Sequence, residues 1–503
     1  MSDREQELLE IIRQKDLEIK LLREKIDLLV RKVFGSSSET LDPRQLDLLA
    51  GTDLGKAPAP GGDEPEEIKD RFRCSEAKAS KSRRERLPGH LPVVEEILDP
   101  LEVRQAPQDW KQIGEEVSEQ LDYEPGKFFR RRLVRRKYVS RIDKALPPLI
   151  APLPPVLQER CLAAPGLIAH VITAKYCDHL PLYRQEQIYR QRYQVALSRQ
   201  TLDGWVMMAA EWLQPLYEII RTGVMAGGYV QVDETPIRYL DSGRGKTSLG
   251  YLWTSHRPGE EVCYQWQPSR AADCLKKIIP ADFQGVLQSD GYAAYPSFNQ
   301  SRKNPLVLAG CWAHARRKFF EAHESGNRDA ALILRLIGNL YQIEKQLREQ
   351  KAGPLLRQTY RSWQALPVLQ RIKKILLHWK TRHRHLPKSA MGKAIDYTLK
   401  QWDGLSVYLD QGQIEIDNNL VENAIRPTAI GKKNWLFIGH EKAGQHSAVL
   451  YTIVENCRRL GLDPETYLRK VLTRLPRATN HNVHLLTPKA LARELQNKMN
   501  QAA

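Results

Sequence analysis

What the chain lacks narrows it first. It has no CxxC pair: its seven cysteines (Cys74, Cys161, Cys177, Cys263, Cys274, Cys311, Cys457) are odd in number and scattered. With no apolar signal-type run at the start, that pattern fits a reducing, cytoplasmic setting better than a disulfide-built secreted domain. No stretch approaches about 18 uninterrupted apolar residues, so no membrane span is expected. Acid is in deficit: 60 Asp and Glu stand against 77 Lys and Arg, giving a net charge of +17 and a pI near 9.4. Such an excess favours a polyanionic partner, nucleic acid before membrane, although it also serves plain solubility.

At 503 residues and 42% hydrophobic content, the chain can hold several domains of roughly 100–200 residues each. Residues 1–34 contain neither Gly nor Pro. Leu8, Ile12, Ile19, Leu22, Ile26, Leu29 and Val33 follow steps of four and three broken only at Lys15. That is an a/d seam for a coiled coil of about four heptads, and it predicts a homo-oligomer. Residues 35–88, rich in Pro, Gly, Ala and charge, read as a flexible linker. Residues 89–146 read as a small β-rich module. Its centre is Lys127-Phe-Phe-Arg-Arg-Arg-Leu-Val-Arg-Arg-Lys137. Arg130, Arg131, Arg132, Arg135 and Arg136 would lie along phosphates if this strand or hairpin meets DNA; a solvated charged strand looks the same.

After a Pro-rich break at Pro147 to Pro155, the domain over 147–226 reads as helices from residue 156 onward. An amphipathic stretch over 182–192, a break at 193–197 and an N-cap at Ser198 predict two helices joined by a short turn. A helix-turn-helix has that layout, with Arg199 and Gln200 where base edges would be met, and so do ordinary helical hairpins.

From 227 to 440 the pattern changes to strands. Gly228-Tyr-Val-Gln-Val-Asp233 reads as a short strand that delivers a carboxylate and stops. Strands over 251–255 and 262–267, a helix over 271–279, and strands over 285–289 and 306–309 follow. Three strands, a helix and two strands is the ribonuclease H-like order, a mixed sheet covered by helices in an α/β, multi-domain chain. Residues from about 326 to 410 form a long helical insertion, and 441–503 a C-terminal helical region. Asp233 alone is an ordinary turn former. Asp290 repeats its logic at the end of the fourth strand, which in this order lies beside the first. A third acid could come from Glu415, Asp417 or Glu422. Glu422 sits on a helix opened by Asn418 or Asn419, where an i, i+4 pair with Arg426 is its plain alternative. Three such acids suit a pair of hard cations, Mg²⁺ or Mn²⁺, that activate a nucleophile and stabilise a leaving oxygen on a phosphodiester.

Several longer strings then resemble a known family. Gln231-Val-Asp-Glu-Thr-Pro236, Ser289-Asp-Gly-Tyr292, Gly310-Cys-Trp-Ala-His-Ala-Arg-Arg-Lys-Phe319, Asp417-Asn-Asn-Leu-Val-Glu-Asn-Ala-Ile-Arg-Pro427 and Ile430-Gly-Lys-Lys-Asn-Trp-Leu-Phe437 are similar to the catalytic domain of the insertion sequence 66 family of bacterial transposases. Stretches near residues 33–39, 175–187 and 462–468 match in the same order. The resemblance implies a nucleoid-associated transposase with a DDE triad at Asp233, Asp290 and Glu422. It also implies divalent-metal-dependent cleavage and strand transfer at element ends, and small accessory proteins of the same element. Arg316 and Arg317, in the third string, could hold phosphates, or lie on a solvent face; Lys432 and Lys433, in the last, join them as DNA-contact candidates. His314 is equally suited to a core or capping role. One departure stands out: the family's module before Pro147 resembles a zinc-binding one, but residues 105–108 and 139–141 lack its paired cysteines, so no zinc is expected here. A catalytically silent DNA-binding regulator and a nuclease without strand transfer are the alternative readings.

Overall fold

The computed structural model describes Lys15 and residues 126–134, 136–138, 149–150, 152, 154–241 and 246–502. The expected coiled coil and linker, Arg135 and nearly all of the small β module lie outside the described residues. Residues 126–134 carry no regular secondary structure, and Arg130, Arg131, Arg132 and Arg136 are exposed. The basic stretch is a strand only at its end. There β1 (Lys137–Tyr138) pairs antiparallel with β2 (Leu149–Ile150), within the stretch read as a Pro-rich break.

Three helices follow: α1 (Pro165–Tyr176), α2 (Leu182–Tyr193) and α3 (Arg199–Met225). The turn between α2 and α3 is made by Gln194 in the left-handed conformation and by Ser198, whose hydroxyl accepts the Thr201 N–H at 3.2 Å. Arg199 and Gln200 are exposed at the start of α3. Beyond them α3 buries Leu202, Trp205, Ala209, Leu213, Leu216 and Ile220 at helical spacing, so most of its length is core.

The sheet is built on β3 (Tyr229–Asp241), β4 (Lys246–His256) and β5 (Val262–Gln267), followed by α4 (Ala272–Ile278), β6 (Val286–Gln288), α5 (Ala294–Gln300) and β7 (Val307–Ala309). Its strand order is β5-β4-β3-β6-β7. β3 is antiparallel to β4 and parallel to β6, and β6 is parallel to β7. The sequence order of elements is as expected, with α5 added between β6 and β7. The central strand differs from expectation: β3 does not stop at Asp233 but continues through Pro236 to Asp241, paired with β4 along its length. On its other side β6 covers only Tyr229 to Gln231, and β8 (Phe437–His440) joins from Arg238 onward. A proline, which has no N–H to give, is tolerated in that uncovered interval.

β3 and β6 begin in close contact. Gly285 holds a φ of +123°, and a Cβ there would sit 1.9 Å from the Gly228 carbonyl oxygen; only glycine fits both demands.

After α6 (Trp312–Glu324), the stretch read as an insertion comprises α7 (Asp329–Glu349), α8 (Pro354–Tyr360), a π-turn (Arg361–Ala365), α9 (Leu366–Thr381), α10 (Ala390–Lys400) and α11 (Trp402–Asp410). Its apolar faces share one buried core with Tyr229, Val286 and Ala309 of the sheet. The chain then returns as α12 (Asn419–Trp435). Finally come α13 (Glu441–Arg459), α14 (Pro464–Arg474) and α15 (Pro488–Ala502). α13 seals the sheet's far edge. Asn456 exchanges two hydrogen bonds with the Val262 backbone, and Thr452 accepts the Tyr264 N–H at 3.0 Å. Those side chains satisfy groups that an edge strand would otherwise leave open.

Candidate active site

Asp233 and Asp290 are brought to the same end of two adjacent parallel strands. Gln231 of β3 and Gln288 of β6 are direct partners, and each acid follows its glutamine by two residues. Asp233 is half-buried; its Oδ1 accepts the N–H of Glu234 at 2.8 Å. Asp290 lies just past β6 in a tight turn, where its Oδ1 accepts the Tyr292 N–H at 2.9 Å. The insertion holds that turn: Tyr397 donates to the Asp290 carbonyl at 2.7 Å, and Gln401 donates to that of Gly291 at 3.4 Å.

Glu422 lies in the first turn of α12, which begins where the Asn418 or Asn419 signal puts it. Asn418 is the N-cap residue but makes no side-chain cap; Asp417 before it accepts the Asn419 N–H at 3.1 Å and the Tyr341 hydroxyl at 2.8 Å. Glu415 is ion-paired with Arg357 at 3.0 Å and Arg348 at 3.5 Å. Both alternatives for the third acid are therefore engaged in holding structure. Glu422 makes only longer contacts: its Oε1 is buried without a hydrogen-bond partner, with His314 Nδ1 at 3.7 Å, and an Arg317 nitrogen lies 3.9 Å from Oε2.

Burial pushes Asp233 well above the usual carboxylate range, and the charges of Glu234, Glu422 and Asp290 push it further. Burial also raises Glu422; Arg317 opposes the rise, while Asp417 and Asp290 add to it. An oxygen-rich, mutually repelling set with an orphaned buried carboxylate oxygen is the donor chemistry that hard cations take. As the side chains stand, no three His, Cys, Asp or Glu among the described residues come close enough to hold one metal ion.

The other expected contact residues divide. Arg317 is half-exposed beside Glu422, whereas Arg316 is buried on the packed face of α6, with its pKa lowered by burial. A phosphate contact from Arg316 is not supported by that placement: in an α-helix neighbours i and i+1 point about 100° apart, and here the packed side takes Arg316. Lys432 donates to Thr235 Oγ1 at 3.1 Å and so ties α12 to β3; Lys433 is exposed.

Several site residues were not anticipated. His314 is buried against Glu422 and kept neutral, its pKa lowered to about 4 by burial and by Arg317. Its place in the Cys-Trp-Ala-His string was the available signal. Glu234 is the neighbour of Asp233, and strand alternation points it to the opposite face. There it pairs with Arg270 at 2.6 Å and accepts the Tyr295 hydroxyl at 3.0 Å. Arg270 also stacks over Tyr292, 3.7 Å from the ring centroid. Nothing local marks Arg270, which lies on the loop before α4.

An α/β domain with a mixed sheet that brings two acids together and adds a third from a returning helix is the setting in which the comparisons with known proteins fall. They define the chain as a transposase. The family model described as "Transposase IS66 family" matches residues 160–446, the "IS66 C-terminal element" matches 452–488, and "Transposase C of IS166 homeodomain" matches 21–95. The chain belongs to the IS66 family of transposases. Among its relatives, an uncharacterized protein y4jD of Sinorhizobium fredii is 35% identical over 496 residues, covering 94% of this chain and 95% of the relative. A second, y4qI of the same organism, is 34% identical, covering 77% of this chain and 73% of the relative. No helix among the described residues is long and apolar enough to cross a membrane.

Proposed function

We propose that this chain is an active DNA transposase that cuts and joins the ends of its element through Asp233, Asp290 and Glu422. The observation that carries the reading is the placement of these acids: Asp233 and Asp290 each follow, by two residues, a register-paired glutamine of adjacent parallel strands, and Glu422 lies in the first turn of α12, which Lys432 ties to β3. The order β5-β4-β3-β6-β7 supports a ribonuclease H-like catalytic domain. Asp233, Asp290 and Glu422 would hold Mg²⁺ or Mn²⁺, which when bound would activate the attacking oxygen and stabilise the leaving one.

The chain's own groups supply the rest. Arg317, half-exposed beside Glu422, is placed to take a phosphate oxygen. The Glu234–Arg270–Tyr292 stack stiffens the turn that follows Asp290. Exposed Arg130, Arg131, Arg132 and Arg136, with Arg199 and Gln200 at the α3 terminus and Lys433, form the DNA-contact set, positioning through phosphates and reading base edges at α3. Residues 1–34 would pair protomers, and small proteins of the same element are candidate accessories.

The test uses purified full-length protein, Mg²⁺ and DNA carrying the element's ends. Asp233→Asn and Glu422→Gln should each abolish cleavage while leaving DNA binding within about twofold. Cleavage that survives both substitutions refutes the triad. Binding without cleavage by the wild type would instead identify a DNA-binding regulator, and cleavage without joined products a nuclease.

A further inference from the structure

The strand register fixes where Asp233 and Asp290 sit, but it does not fix Glu422, which lies 132 positions after Asp290 (422 − 290). What fixes it is a buried polar seam between the sheet and residues 415–418. Gln231 and Gln288 face each other in register, and the Gln231 side-chain amide donates to Gln288 Oε1 at 2.9 Å. The Tyr229 hydroxyl donates to the same Oε1 at 2.6 Å.

From that pair, bonds reach into the segment leading to α12, and the Gln288 amide also donates to the Gly310 carbonyl at 3.0 Å. The Gln288 amide donates to the Glu415 carbonyl at 2.9 Å, and the Glu415 N–H donates to the Tyr229 hydroxyl at 3.0 Å. The Gln231 amide donates to the Asp417 carbonyl at 2.9 Å. The Trp312 N–H donates to the Ile416 carbonyl at 3.2 Å, and the Asn418 N–H meets the Cys311 sulfur at 3.5 Å. Four successive residues are thus tied by their backbones to β3, β6 and the start of α6. Gln231 and Gln288 are fully buried, and Tyr229 nearly so. A buried amide that loses its partners costs about 1–3 kcal/mol, so the arrangement is held all or none.

We propose that Gln231, Gln288 and Tyr229 are positioning residues that lock the backbone ahead of Glu422 to the strand ends carrying Asp233 and Asp290. This rests on the reading of those three acids as the metal-holding set. Because strand side chains alternate, Gln231 projects on the same face as Asp233. The glutamines therefore act as a spacer between the two strand acids and the incoming helix. They touch no reacting atom. Their effect is on how closely Glu422 can complete the set, as outer-shell residues do for metal ligands.

The probe is Mn²⁺ alone, titrated calorimetrically into full-length protein, together with hydrogen exchange of the amides of residues 415–422. Tyr229→Phe removes one hydroxyl from the seam and keeps the ring packed; Gln288→Leu removes the central amide. Each should weaken Mn²⁺ binding by roughly ten- to a hundredfold, with faster exchange confined to 415–422 and DNA binding unchanged. Affinity within about twofold of wild type together with unchanged exchange at 415–422 would overturn the proposal. So would exchange that rises equally throughout β3 and β6, the mark of a merely structural role. Asp233→Asn separates the two levels: if it binds Mn²⁺ as the wild type does, the metal reading fails, and the exchange pattern alone then decides the positioning role.

Discussion

Glu344 is the most consequential buried charge in the insertion, and removing it should unfasten the insertion locally. Glu344 is 1% exposed and Arg361 fully buried. Their contact is bidentate, at 2.7 and 2.8 Å, and Arg361 also donates to the Tyr408 carbonyl at 2.6 Å. Arg357 bonds Glu344 at 3.1 Å and Glu415 at 3.0 Å, so the network runs from the π-turn to the segment before α12. The Arg357 and Arg361 charges hold Glu344 below its ordinary pKa although burial pulls the other way. Glu344→Gln leaves Arg361 buried with no carboxylate. Stranding one partner of a buried pair costs about 3–5 kcal/mol. Arg361→Met is milder, because Glu344 retains Arg357; the loss is then mainly the Tyr408 carbonyl, since that of Gln411 keeps the Ile414 N–H, on the order of 1–3 kcal/mol. The double variant Glu344→Met/Arg361→Met strands no charge on that pair and should cost less than Glu344→Gln alone. Native-state hydrogen exchange of α7 and α9 reads this directly. Glu344→Gln should speed exchange by roughly two to three and a half powers of ten, at 1.36 kcal/mol each. A double variant as damaging as the sum of the two singles would refute the reasoning.

Two further outcomes follow from other parts of the sheet. His256 is buried beside Arg459, which can only donate, so its Nε2 accepts at 2.8 Å and the ring is neutral, with burial lowering its pKa to about 3. Its folded pKa lies below the unfolded value near 6.5, so its contribution is full above that value and is lost as pH falls from there toward 3. Thermal melts at pH 7 and 5 should show a smaller loss for His256→Gln than for wild type, and an identical loss would refute the assignment. Gly285→Ala would place its Cβ against the Gly228 carbonyl in a left-handed backbone. Overpacking and strain of about 1–3 kcal/mol each should lower the melting temperature measurably, whereas Gly259→Ala, strained in backbone but open in space, should cost less.

Much of the site was legible because its signals are local. The Ser198 cap, the start of α12 and the acid Asp290 following a short apolar strand all depend on a few adjacent residues, and the structure keeps them, whereas Asp233 lies within a longer strand. What was illegible depends on partners far away. β3 outruns its apparent end because β4 pairs with it throughout, overriding the Thr235-Pro236 stop signal. β8 was not foreseen, since four residues after a helix carry no period of their own. Arg316 and Arg317 are indistinguishable in sequence, and only the packing of α6 decides which is buried. Glu415 and Asp417 were as good as Glu422 until Arg357 and Tyr341 claimed them.

The same distinction explains why the acids are coupled without converging on one point. Register sets the backbones of Asp233 and Asp290, and the seam at 415–418 sets that of Glu422, so what remains free is side-chain rotation. A departure from a favoured rotamer costs about 0.5–1.5 kcal/mol. Two carboxylates brought to 4 Å repel by about 4 kcal/mol at the effective dielectric of a protein surface. Repulsion wins that comparison, and Glu422 rests instead between His314 and Arg317. A divalent cation reverses the sign of the larger quantity while leaving the smaller one unchanged. On the proposed reading, the backbone arrangement is the part the fold must provide, and a bound divalent cation would offset the repulsion left between the carboxylates.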